Sequence, residues 1–141
     1  MGTAARSLPE RVILVVDDEA MVCRLTARIL ANAGFRVVEA HSAAEALALL
    51  ATLNGRVQLV VSDIAMPRMT GLELAAVIAG QWAAVPILLV SGHGGPGPVY
   101  AGPFLPKPFT PDALLEAVAG LLPTQDSTTG AGSCTKRDAN G

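Results

Sequence analysis

Residues 11–18 read Arg-Val-Ile-Leu-Val-Val-Asp-Asp, and this stretch decides the fold. From Arg11 to Val16 the run is continuous and almost wholly aliphatic, so an extended segment here must be buried on both faces, as a strand in a parallel sheet is. It stops at Asp17 and Asp18. Outward from it, Val22, Leu25, Ile29, Leu30 and Ala33 recur at helical spacing, and Gly34 follows where a left-handed cap would sit; together they predict a first helix. Phe35 to Ala40 reads as a second, short strand. Ser42-Ala-Ala-Glu45 is a capping box that opens a helix through Ala46, Leu47, Leu49, Leu50 and Leu53, closed by Gly55. Val57 to Val61 is a third aliphatic strand, ending at Ser62 and Asp63, and a second capping box, Thr70-Gly-Leu-Glu73, opens a helix to about Gln81. Val85 to Val90 and Phe104-Leu105 supply strands four and five. Thr110-Pro111-Asp112 then gives an N-cap, an N1 proline and an acidic first turn to a last helix that ends by Pro123.

Strands alternating with helices give an α/β domain whose connections cross over right-handedly. The expected architecture is a doubly wound, five-stranded parallel sheet of order 2-1-3-4-5, flavodoxin-like, with helices on both faces. The alternation breaks once. Between Gly92 and Pro103 five glycines and three prolines fall among twelve residues, a composition hostile to the helix that should join strands four and five, so that fourth helix is expected to be shortened or missing. Residues 1–10 are expected to be a flexible N-terminus, 11–122 the folded domain, and 123–141 a disordered tail almost free of large apolar groups.

Composition narrows the function. The 141 residues are 51% hydrophobic, 16% charged and 4% aromatic, with a formal net charge of −2. That is enough aliphatic surface for one core and too little basic charge to hold a phosphate backbone, so nucleic acid and anionic membrane surfaces are not expected partners. The apolar runs are of strand length, far short of the ~20 residues of a spanning helix. No secretory signal pattern opens the chain, and a cytoplasmic location is the expectation. The two cysteines, Cys23 and Cys134, make neither a disulfide framework nor a metal cluster on the sequence alone. Met21, Met66, Met69 and Trp82 lie on apolar faces or loop tips, where packing is the default.

In an open parallel sheet, ligands bind beyond the carboxyl ends of the strands. The residues at those ends are Asp17, Asp18, Asp63, Ser91 and Lys107; they include three of the six aspartates and one of only two lysines. In the order 2-1-3-4-5, strands one and three are neighbours, which brings three carboxylates together. Their mutual repulsion calls for a cation, and an all-oxygen donor set suits Mg²⁺.

Asp17-Asp18 after the first strand, Asp63 followed by Met66-Pro67 and Gly71, then Ser91, and finally Lys107-Pro108-Phe109 resemble the two-component response regulator receiver domain over residues 11–122. The resemblance implies a stand-alone phosphorelay signalling protein of the CheY-like kind with no output domain, not an enzyme acting on an external substrate. Asp63 would be the phosphoacceptor, supplied by a sensor histidine kinase or a histidine phosphotransfer protein. Asp18 would bind Mg²⁺ directly, Asp17 through water, and Asp63 and the Ala65 carbonyl would complete the protein ligands. Ser91 and Lys107 would hold phosphoryl oxygens, with Ser91 and Phe104 forming the switch. The Lys107-Pro108 bond would be cis. The interval of 16 positions from Ser91 to Lys107 is shorter than is usual in the family, and the loss of the fourth helix implies a monomer with a mobile loop at 92–103 that a downstream partner could order. His93 falls in that loop, at a position that influences the lifetime of the phosphate in the family.

Three other functions compete. A Mg²⁺-dependent phosphohydrolase of the haloacid dehalogenase kind would need a second Asp two residues after its nucleophile, where this chain has Ala65. A flavodoxin-like FMN protein would need a Ser/Thr/Gly phosphate loop after the first strand, where Asp17-Asp18-Glu19 stands. A module that keeps the fold without phosphorylation would not need all of the acceptor-site residues.

Overall fold

The computed structural model describes residues 11–53, 55–92, 100 and 102–122. In chain order its elements are β1 (Val12–Val16), α1 (Ala20–Asn32), β2 (Arg36–Ala40), α2 (Ala43–Leu53), β3 (Val57–Asp63), α3 (Gly71–Gln81), β4 (Ile87–Ser91), β5 (Phe104–Pro106) and α4 (Pro111–Leu121). The five strands form one parallel sheet in the order β2-β1-β3-β4-β5, the expected 2-1-3-4-5.

Every residue of β1 is buried, because alternate side chains feed two separate cores. Val12, Leu14 and Val16 face one way, with Val60 of β3, onto Ala46 and Leu50 of α2 and Leu74 and Ile78 of α3. Ile13 and Val15 face the other way, with Leu59 and Val61 of β3, onto Cys23 and Leu30 of α1 and Leu114 and Val118 of α4. Burial on both faces makes the pattern a continuous apolar run rather than an alternation.

The helix ends obey their local signals. Gly34 adopts φ +103°, and the N–H groups of Gly34 and Phe35 donate to Ala31 and Leu30 carbonyls, a Schellman closure that points the chain into β2. Thr70 and Glu73 satisfy each other's backbone N–H groups in a reciprocal capping box, and the Thr110 hydroxyl accepts from the Ala113 N–H ahead of α4. The Ser42 hydroxyl accepts from the Glu45 N–H, but the Glu45 carboxylate reaches one residue further, to the His41 N–H.

Several expectations need correction. The buried stripe of α1 is Cys23, Thr26, Ala27 and Leu30; Leu25 is 61% exposed and Met21 86% exposed, and Ala33 is exposed too. The helix is rotated so that small residues meet the sheet, and close approach is gained at the expense of leucine burial. Strand β4 begins at Ile87, because Val85 turns back to bond the Trp82 carbonyl. β3 and β4 run on through Asp63 and Ser91, since ladder hydrogen bonds continue regardless of side-chain polarity; Asp63 still pairs with Val90.

No helix lies between β4 and β5 among the described residues. The expectations of a mobile segment, of flexible termini at 1–10 and 123–141, and for His93 concern stretches mostly or wholly outside those residues. Among the described residues no helix is long and apolar enough to cross a membrane.

Candidate functional site

The carboxyl ends of β1, β3, β4 and β5 converge on one cleft of about 440 Å³, lined by Asp18, Glu19, Asp63, Ala65, Ser91 and Lys107 among others. Asp17 stands behind this wall, 3% exposed. Its N–H donates to the Ala40 carbonyl of β2 at 3.0 Å, which fixes its backbone. Its two oxygens are divided: Oδ1 accepts the Glu19 N–H at 2.9 Å, bracing the entry to α1, and Oδ2 faces Lys107 Nζ at 3.4 Å.

Asp63 ends β3 and is 8% exposed. Lys107 Nζ lies 3.4 Å from its Oδ1, so a single ammonium serves two buried acids. One carboxylate oxygen from each of Asp17, Asp18 and Asp63 lies within 4.8 Å of the other two. Burial, above all, pushes the Asp63 carboxyl above its ordinary value, and the negative charge of Asp17 adds to this, while Lys107 and the Ile64 N–H pull the other way. Three carboxylates against one ammonium leave excess negative charge among oxygen donors, which is the donor set of a hard divalent cation.

The backbone is shaped to allow this crowding. A Cβ at Gly71 would overlap the Asp63 carbonyl oxygen and lie 2.9 Å from the Ile64 Cα, while the Gly71 N–H donates to the Ile64 carbonyl. The first turn of α3 therefore lies against the backbone that carries Asp63. Lys107 is anchored through its N–H to the Ser91 carbonyl at 2.8 Å, and its bond to Pro108 is cis, as the resemblance implies.

Asp17, Asp18, Asp63, Ser91 and Lys107 are thus brought together as expected, and Ala65 lines the same cleft. Phe104 does not line it: the ladder sets it beside Leu89, on the same face as Ser91 and two residues before it. Sequence reasoning missed the bracing of Asp17 by Glu19. It also missed Arg68, which adopts φ +70° in the β3–α3 loop. A short polar turn after Asp17 was a usable hint for the first; nothing in the residue type marks the second.

The sequence matches the family described as the response regulator receiver domain over residues 13–119. It is 36% identical over 121 residues to the sensor kinase CckA of Brucella abortus, covering 81% of this chain and 13% of that protein. It is 35% identical over 116 residues to the response regulator MprA of Mycobacterium tuberculosis, covering 78% of this chain and 50% of that protein. The chain therefore spans half or less of the length of these two relatives. Among solved structures, the chemotaxis protein CheY4 of Vibrio cholerae superposes with a TM-score of 0.71 at 30% identity, covering 81% of this chain and all of the other. The sheet order, the acidic cleft and these matches lead to one assignment: the chain belongs to the response regulator receiver domain family.

Proposed function

We propose that this chain takes a phosphoryl group from a phosphohistidine onto Asp63 and signals by the change that follows. The observation that carries the reading is the shared position of Lys107, 3.4 Å from both Asp63 and Asp17, beside an acid cluster with excess negative charge. A carboxylate oxygen of Asp63 attacks phosphorus; the new P–O bond forms as the P–N bond to imidazole breaks, and the electron pair leaves with the imidazole, which takes up a proton. Bound Mg²⁺, held by Asp18, Asp17, Asp63 and the Ala65 carbonyl, would offset the charge of the phosphoryl oxygens. The exposure of Asp18 and the engagement of both Asp17 oxygens support direct ligation by Asp18 and a water-mediated role for Asp17.

Lys107 holds Asp63 before transfer and a phosphoryl oxygen after it. The Ser91 hydroxyl is the second protein donor to that group, and Phe104 follows it as the switch aromatic. Hydrolysis of the acyl phosphate returns the resting state. The chain is a signalling receiver acting in the cytoplasm, a monomer, with a histidine kinase or phosphotransfer protein upstream and a protein target downstream. A haloacid dehalogenase-type turnover lacks its acid, since Ala65 lines the cleft where that residue belongs.

Acetyl phosphate with Mg²⁺ tests the reading. Mass spectrometry should find one hydroxylamine-labile phosphoryl group, lost in Asp63→Asn and on chelation of the metal; labelling of Asp63→Asn at the wild-type rate would refute it. Asp18→Asn should weaken Mg²⁺ binding more than Asp17→Asn does.

A further inference from the structure

Outside the acidic cleft, a second cluster of ligand atoms stands at the end of β2. The Cys23 Sγ, a Glu39 carboxylate oxygen and a ring nitrogen of His41 lie within 4.8 Å of one another. Glu39 and His41, two apart on and just after a strand, project to the same side, and α1 brings Cys23 against them. The cysteine is fully buried, with its Sγ 3.6 Å and 3.7 Å from the Val15 and Ala40 carbonyl oxygens. Glu39 is half-buried and His41 is open to solvent, so the outer side of the cluster is polar.

We propose that Cys23, Glu39 and His41 form a second metal site, selective for Zn²⁺ and similar transition ions over Mg²⁺. His41 Nε2 and Glu39 Oε1 are 3.6 Å apart, too long for a hydrogen bond. That separation is the edge of a tetrahedron whose metal–ligand bonds are about 2.0–2.3 Å. The two oxygens of Glu39 are divided between tasks: Oε1 faces His41, while Oε2 faces Arg24 Nε at 3.3 Å. Arg24 thereby orients the carboxylate and leaves one oxygen for the ion, the outer-shell arrangement that fixes ligand geometry.

Burial pushes the Cys23 thiol up to about 12, so the site closes only as the metal displaces that proton. As the metal–sulfur bond forms, the thiol proton passes to water. Sulfur, imidazole and carboxylate together suit Zn²⁺, Co²⁺ or Cu²⁺, whereas Mg²⁺ takes the all-oxygen cleft. Three protein ligands leave a fourth position for water.

The test is a Co²⁺ titration of the full chain carrying Cys134→Ser, with Mg²⁺ in large excess to occupy the acidic cleft. One Co²⁺ should bind per chain with a thiolate-to-cobalt charge-transfer band, and Zn²⁺ should abolish that band. Cys23→Ala should remove it. His41→Gln, an exposed change that leaves the thermal melting curve of the metal-free protein unaltered, should weaken Co²⁺ binding at least tenfold. Absence of the band in the Cys134→Ser chain at saturating Co²⁺, its persistence after Cys23→Ala, or wild-type affinity in His41→Gln would overturn the proposal.

Discussion

Lys107 and Asp63 are held at 3.4 Å with the lysine equally close to Asp17, so the ionisation of Asp63 is set by its burial and then by two neighbours of opposite sign. Burial raises its pKa, Asp17 raises it further and Lys107 lowers it. Lys107→Met should therefore move the Asp63 pKa upward and Asp17→Asn should move it downward. Carboxyl-carbon NMR titration of the two variants reads both shifts, and equal movement in one direction would contradict the arrangement.

The same shift sets a pH dependence of stability. Because the folded-state pKa of Asp63 is raised above its ordinary 3.8, its contribution is fully present below the unfolded value and is lost as pH rises through the folded one. Asp63→Asn should make the metal-free protein more stable at neutral pH, with an advantage that vanishes once the pH falls below the unfolded value. Urea unfolding at the two ends of that range measures it.

Gly71→Ala should destabilise the fold by about 2 kcal/mol or more, at the upper part of the range for overpacking. The added methyl meets the Asp63 and Ile64 backbone, which cannot rotate away as a side chain could. Chemical denaturation gives the size, and loss of labelling by acetyl phosphate in the fraction that stays folded would show Asp63 displaced.

Arg68→Gly should stabilise by about 0.5–1 kcal/mol. Relief of the left-handed conformation at φ +70° outweighs the greater freedom that glycine gives the unfolded chain. Arg68→Val, β-branched in the same conformation, should lower stability, and the opposite signs of the two changes are what thermal melting must reproduce.

Much of this was legible in the chain. Val12–Val16 and Val57–Val61 announce a two-sided sheet because burial on both faces admits only apolar side chains. Asp17, Asp18, Asp63, Ser91 and Lys107 could be gathered because a parallel sheet sends all its carboxyl ends to one edge. Leu25 departs from its expected burial because periodicity finds an apolar stripe but not its rotation, and α1 turns Cys23 and Ala27 to the sheet instead. The strands run on through Asp63 and Ser91, beyond their apolar runs, because hydrogen-bond ladders leave no trace in side-chain type. The approach of Cys23 to Glu39 joins residues 16 positions apart through helix packing, and the strand spacing of Glu39 and His41 was its only local sign.

The edge position of β5 has a consequence for the cleft as an electrostatic object. Among the described residues its three positions pair with β4 alone in the sheet, whereas β1 and β3, which carry the acids, are each flanked on both sides. Short edge segments open at lower free energy than central ones. Lifting β5 would take away the ammonium and leave the carboxylates in place, so the site can change its field without any proton moving. Anions would then be repelled more strongly and cations held more tightly, and a protein that grips this edge would tune the affinity of the cleft from outside it.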